Sequence, residues 1–205
     1  MNRLIIIFFI ILLATDLSAQ SLWDTSKPDK SIIFGIETGV DYSSLSYEDM
    51  SSSRVGAHVG FTADVNIIKS FSINSGIYYI QKGFNSRCGK ATMNYLQVPL
   101  LASMRFESPT KVQFHVNVGP YFAYGFSGKT FFTPFSITML YYFDQGSFGG
   151  KGFFKDLDIG LSVGGTLQLK MLCVGISYEY GFVDIAEVYG KMHTRNISIK
   201  LGYKF

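Results

Sequence analysis

The segment Asn196-Ile197-Ser198-Ile199-Lys200-Leu201-Gly202-Tyr203-Lys204-Phe205 has apolar residues at every odd position and Asn, Ser, Lys, Gly and Lys at the even ones. Strict period two marks an extended strand whose two faces meet different media. Seven upstream segments repeat the pattern: 32–42, 54–67, 71–82, 94–106, 111–126, 156–169 and 172–182. In the second of these, Val55, Ala57, Val59, Phe61, Ala63, Val65 and Ile67 share one face. Arg54, Gly56, His58, Gly60, Thr62, Asp64 and Asn66 share the other. The connections alternate between long (43–53, 83–93, 127–155, 183–195) and short (68–70, 107–110, 170–171), as expected of an all-β, eight-stranded, antiparallel up-and-down barrel. The last strand is expected to close the ring on the first.

Polarity decides the medium. A soluble barrel of lipocalin type would show the same alternation with the apolar face inward. Here Gly, the short polar residues and the charges share one face, which makes a poor lipid cavity, and an exterior so apolar would aggregate in water. The lipid-facing alternative also suits the composition, with 21 Gly, 19 Phe and 13 Tyr but only 16% charged residues. Outward aromatics cluster at both ends of the staves: Tyr42, Tyr79, Tyr124, Phe126, Tyr180 and Phe182 at the loop end, and Phe71, Phe106, Tyr203 and Phe205 at the turn end. Such girdles sit at the two membrane interfaces. A transmembrane barrel in a Gram-negative outer membrane follows as the expectation, contacting membrane lipid and monomeric.

Met1-Asn2-Arg3, the apolar run 4–13 and the stretch 14–20 read as a secretory signal with cleavage after Ala19, although Leu17 fits poorly at the minus-three position. Removing residues 1–19 leaves 205 − 19 = 186 residues, enough for one domain. Residues 20–31, polar with Pro28, read as a mobile periplasmic lead-in, and 32–205 as the barrel. The net charge of +3 gives no footprint for nucleic acid. No apolar run after the signal approaches the roughly 20 residues of a membrane helix. Cys88 and Cys173 fall at opposite ends of the expected barrel and are predicted to be unpaired. Pro99, inside the fourth strand, predicts a bulge or a missing ladder bond.

Strands four and five also carry more specific motifs. Tyr95-Leu96-Gln97-Val98-Pro99-Leu100-Leu101 with Arg105-Phe106, then Val118-Gly119-Pro120-Tyr121, resembles the PorT-like outer-membrane β-barrel family of Bacteroidetes. Gln81-Lys82-Gly83, Asp158-Ile159-Gly160-Leu161 and the ending Leu201-Gly202-Tyr203-Lys204-Phe205 fit as well. The resemblance implies location and architecture, with a link to type IX protein secretion in some members. Phe205 resembles the terminal aromatic by which the barrel-assembly machinery recognises its clients.

By parity the lumen receives Glu37, Asp41, Asp64, Asp158 and Glu179 against Arg54, Lys82, Arg105, Lys200 and Lys204, five of each sign. An eight-stranded barrel is just wide enough for side chains to fill it, so these charges are expected to pair and block conduction. A selective pore would favour one sign. Lys200 and Lys204 are expected to meet Glu37, Asp41 or Glu179, with Glu37 favoured for Lys200. His58 and His115, both inward, could join Asp64 or Glu37 in metal or acid–base work, but completing a polar network is the simpler expectation. No metal, cofactor or catalytic residue is assigned.

An outer-membrane lipid-modifying enzyme is the rival class, yet no His-x-Ser motif appears, the one Gly-x-Ser-x-Gly match (Gly160-Leu161-Ser162-Val163-Gly164) lies inside an expected strand with its Ser on the lumen face, and the outward faces are nearly free of Ser, His and carboxylates. A small pore or a soluble lipocalin-like barrel is the remaining alternative. The stretch 127–155 holds nine aromatics in 29 residues. A hairpin at 137–143 that extends the wall or folds over the mouth is one reading of it, and a surface for a protein partner the other. The expected role is a non-enzymatic membrane scaffold or a component of a surface or secretion assembly.

Overall fold

The computed structural model describes residues 23–47, 50–86, 89–107, 112–132, 139–141, 156–183 and 193–205. The expected signal, Cys88 and residues 184–192 of the expected last loop lie outside them. The alternating segments form β1 (Ile32–Tyr47), β2 (Met50–Ile68), β3 (Phe71–Ser86), β4 (Gly89–Glu107), β5 (Val112–Phe132), β6 (Met139–Tyr141), β7 (Leu157–Leu169), β8 (Leu172–Gly181) and β9 (His193–Lys204). Every long strand pairs antiparallel with its neighbour, β5 passes to β7, and β9 returns to β1 with Gly35 opposite Lys204 and Ser46 opposite His193. Eight staves therefore close into a barrel, and the short β6 is an addition paired to the top of β5. Closure leaves no sheet edge in the membrane zone, the condition for a sheet to cross lipid.

Sidedness is inverted relative to a soluble protein. Phe61 is 72% exposed and Ile199 63%, whereas Asp41 and Asp158 are 0% exposed. Water cannot solvate such an exterior, so the apolar outside lies in lipid and the polar side chains form the core. Two outward hydroxyls are satisfied locally: Thr38 donates to the His58 carbonyl at 2.9 Å, and Ser75 to the Pro99 carbonyl at 2.8 Å. The latter sits where the β3–β4 pairing skips from Gln97 to Leu100 without changing register, the missing ladder bond expected of Pro99. The bulge comes instead at Asn94/Tyr95, where β5 slips by one residue and Phe126 and Ser127 both face outward.

The staves are unequal. β1 to β5 run 16–21 residues and β7 to β9 only 10–13. A tilted membrane strand needs about 9–11. Tight turns hold the other end, including Lys170-Met171, where Lys170 takes a φ of 54°. The surplus of β1 to β5 therefore stands above the loop-side interface. This corrects the loops expected at 43–53 and 83–93: both are largely paired strand, with Tyr47 opposite Met50 and Ser86 opposite Gly89. Their Ser, Thr and Gly residues signalled water, and an antiparallel ladder continues into water at no cost in hydrogen bonds.

β5 likewise absorbs the start of the stretch 127–155, and β6 pairs Met139 to Tyr141 with Thr130 to Phe132. Phe131, Phe132 and Tyr141 thus stand on a wall-extending hairpin, in keeping with the first reading. The other six aromatics of the stretch lie outside the described residues.

Two contacts reshape the ends. The β2–β3 ladder stops at His58 opposite Ile80, although both strands continue upward. Above it the Gly83 N–H donates to Ser43 Oγ at 3.1 Å, and the Arg54 guanidinium donates to the Thr92 hydroxyl. Ser43 and Arg54 belong to the inward parity of β1 and β2, so the upper β3–β4 hairpin leans across the mouth onto their inner face.

At the turn end the described part of the lead-in, residues 23–31, makes hydrogen bonds to the barrel. Lys69 N–H donates to the Ser26 carbonyl and Ser70 N–H to the Asp24 carbonyl, each at 3.1 Å, while Asn66 Nδ2 reaches the Lys30 carbonyl at 2.7 Å. The Ser26 hydroxyl and N–H hold the Asp24 carboxyl below its ordinary pKa. Composition alone marks a polar segment as loose, and these backbone partners come from a distant turn.

Candidate functional site

Among the described residues chemistry-bearing groups converge in the lumen, which is layered along the barrel axis. In the upper layer Lys82, 2% exposed, projects from β3 to the opposite wall. Its Nζ lies 3.3 Å from Glu179 Oε2 of β8 and 3.7 Å from Asp158 Oδ2 of β7, over the Tyr121 ring at 4.6 Å and beside the Tyr95 ring at 5.7 Å. Each carboxylate has further donors. Gln97 Nε2 reaches Glu179 Oε1 at 2.8 Å, and the Thr194 and Tyr121 hydroxyls reach Asp158 Oδ2 at 2.9 and 3.2 Å. Gly160 permits this: a Cβ there would meet Tyr121 ring carbons at 2.6 and 2.7 Å, as well as the Tyr180 carbonyl.

The middle layer is built on Asp41. Its Oδ2 meets His58 Nδ1 at 2.8 Å, and its Oδ1 accepts from the Ser198 hydroxyl at 2.5 Å and Asn196 Nδ2 at 3.1 Å. Asn196 also reaches Glu179 Oε2 at 3.3 Å, tying the two layers together. On the far side of His58, Nε2 stands 4.0 Å from Glu37 Oε1, which pairs with Lys200 Nζ at 3.3 Å. Tyr78 fills the space beside them, its ring 6.1 Å from His58 and 5.7 Å from the Lys200 ammonium.

In the lower layer Asp64 pairs with Lys204 and accepts from Asn74 Nδ2, and Arg105 donates to Asn66 Oδ1 at 2.8 Å. His115, 3% exposed, stands directly opposite Arg105 on the sheet. A polar space of about 40 Å³ is left here, lined by Glu37, Thr62, Asn74, His115 and Lys204 among others, and one of about 20 Å³ beside His58 and Glu179. Each has room for water molecules and little else.

The expected pairing of Lys200 with Glu37 is present. Lys204, expected on Glu37, Asp41 or Glu179, takes Asp64 instead, because strand tilt brings β2 rather than β8 to its height. His58 and His115 are not brought together: they line different spaces, and among the described residues no His, Cys, Asp and Glu group is placed to hold a metal ion. Cys173 is a buried free thiol. The Asp41–His58 pair resembles the orienting half of a catalytic triad, but the neighbouring Ser198 hydroxyl donates to Asp41 and not to His58, so His58 does not activate Ser198. Sequence reasoning passed over Tyr78, Ile80, Met93, Tyr95 and Leu101 as lumen fillers and Asn196 as the link between layers. Inward parity alone would have found all of them but Met93, which lies in the expected loop 83–93.

The girdle residues Tyr42, Tyr79, Tyr124, Phe126, Phe182, Tyr203 and Phe205 are exposed on the outer face, while Phe106 and Tyr180 are half-buried there. Tyr79 packs on Phe126 at 6.1 Å.

Residues 18–187 match the family model described as "Outer membrane protein beta-barrel domain". None of the curated proteins matches the sequence. Among solved structures, Neisserial surface protein A superposes with a TM-score of 0.51 at 11% identity, covering 84% of this chain and 97% of that one. The attachment invasion locus protein Ail of Yersinia pestis gives 0.44 at 14% identity, covering 86% and 100%, and OprG of Pseudomonas aeruginosa 0.43 at 14%, covering 89% and 99%. At these identities the likeness to the Neisserial protein is one of fold.

Proposed function

Because this chain belongs to the outer membrane protein β-barrel domain family and is an integral protein of the outer membrane, we propose that it is a non-enzymatic, non-conducting scaffold whose function is exercised at its projecting loop-side wall. The observation that carries this reading is the Lys82 station. A fully buried lysine held by two carboxylates from the opposite wall and flanked by two tyrosine rings fills the upper lumen, and the β3–β4 hairpin leans over it. An ion would have to break a desolvated charge cluster to pass, at a cost of several kcal/mol. Reconstitution into planar bilayers tests it. No stable conductance is expected, and a stable ion-selective current would refute the closed lumen.

In this proposal the protein serves as a component of a surface or secretion assembly. The tall β3–β5 wall, topped by the end of β5 and by β6, together with the aromatic sequence 127–155, is the surface for a protein partner, and the PorT-like motifs around Gln97-Val98-Pro99 favour a secretion-related one. Deleting residues 133–150 is expected to leave a heat-resistant barrel that no longer retains its partner after crosslinking in native membranes. A barrel that loses heat resistance would mean that the stretch serves packing. Lipid A with an altered acyl pattern in cells carrying the protein would restore the enzyme reading.

A further inference from the structure

Across the eight staves, the outward positions with described side chains are apolar, small or uncharged with one exception, Arg195 of β9. Its height is set by register. Two residues below it Ile197 stands opposite Tyr42 of β1 and Tyr178 of β8, while Arg195 itself stands opposite Ser44 and Tyr180. The guanidinium therefore sits at the upper edge of the aromatic girdle, where hydrocarbon gives way to headgroups.

It is also held in place. Its carbon lies 5.8 Å from the centre of the Tyr180 ring. That ring is braced by Phe182 at 5.8 Å with planes at 64°, and by the His193 imidazole at 5.8 Å with planes at 26°. Stacking on an aromatic face constrains the guanidinium plane and leaves its N–H edge free to donate, the geometry that binds phosphate through two parallel hydrogen bonds. A lone cation facing lipid costs energy unless it meets an anion, and the anions at this level are headgroup phosphates.

We propose that Arg195, on its Tyr180–Phe182–His193 platform, is a binding site for the phosphate of an outer-leaflet lipid headgroup, fixing one lipid against the β8–β9 wall. The proposal goes beyond the scaffold reading and does not depend on the lumen.

The full chain in nanodiscs of a phosphate-free galactolipid doped with either phosphorylated or dephosphorylated lipid A, followed by native mass spectrometry of the extracted protein, tests it. The wild type is expected to retain the phosphorylated lipid preferentially. Arg195→Gln is expected to reduce that retention about five-fold, the value of one cation near a charged membrane surface. Arg195→Lys keeps the charge without the fork and is expected to fall between them. Tyr180→Leu removes the platform and is expected to weaken retention with the charge intact. Equal retention of the two lipids, or equal retention by wild type and Arg195→Gln, would overturn the site. Displacement of the lipid by millimolar inorganic phosphate would overturn the assignment to a headgroup.

Discussion

Replacing Lys82 by Met removes the ammonium while keeping a side chain of similar length, and it isolates the charge that closes the lumen. The change leaves Glu179 and Asp158, 4% and 0% exposed, without the cation that lies between them, and Lys200, which lines the space beside Glu179, is the nearest one left to it. They do not lose everything: Glu179 keeps Gln97 and Asn196, and Asp158 keeps Thr194 and Tyr121. Breaking a buried ion pair by removing one partner costs about 3–5 kcal/mol, and the surviving donors argue for the lower end of that range. A loss of about 3 kcal/mol lowers the folded-to-unfolded ratio more than a hundred-fold. Urea unfolding in phospholipid vesicles, followed by circular dichroism, reads it as a fall in midpoint at unchanged slope. Adding Glu179→Gln to Lys82→Met removes the stranded charge and is expected to recover part of the loss, with a coupling of about 0.5–3 kcal/mol in the double-mutant cycle. A single Lys82→Met variant within about 0.5 kcal/mol of the wild type would refute the reasoning. It would mean that water, rather than Lys82, balances the carboxylates.

Three further outcomes are expected. Phe61, at mid-height opposite Ile36 and Ile77, is 72% exposed to lipid, so Phe61→Arg should destabilise the barrel by about 2–4 kcal/mol in vesicle unfolding, and a neutral result would place that face in water. Gly160→Ala drives a methyl into the Tyr121 ring, which is 0% exposed and has nowhere to turn; a cost of about 1–3 kcal/mol is expected by the same assay. Ser75→Ala strips the Pro99 carbonyl of its hydroxyl donor in the membrane zone and should cost about 1 kcal/mol, whereas Ser75→Thr, which restores a hydroxyl, should recover it.

The period-two alternation carried most of the fold, and the reason is local. Every second side chain of a strand points the same way wherever the strand lies, so Val55 to Ile67 had to share a face before any partner was known. Hence eight staves, the apolar outside, the ten lumenal charges and closure of β9 on β1 were all legible in the chain. The same reading went wrong at the loop end, where polar 43–53 and 83–93 proved to be strand. Side-chain polarity reports the medium there, and in an antiparallel pair the ladder does not end where the membrane does.

What the sequence by itself determined is therefore which way each side chain faces; what only the tertiary structure decided is which side chains meet. Lys82 on β3 finds Glu179 and Asp158 on β8 and β7, and Lys204 on β9 finds Asp64 two staves away on β2. The closing of the mouth by Ser43 and Gly83, and the docking of the lead-in on Ser70, belong to the same class. Facing is a property of one strand's pleat. Meeting depends on the tilt and stagger that closure imposes on all eight strands together, and in so narrow a barrel those set which heights on opposite walls coincide.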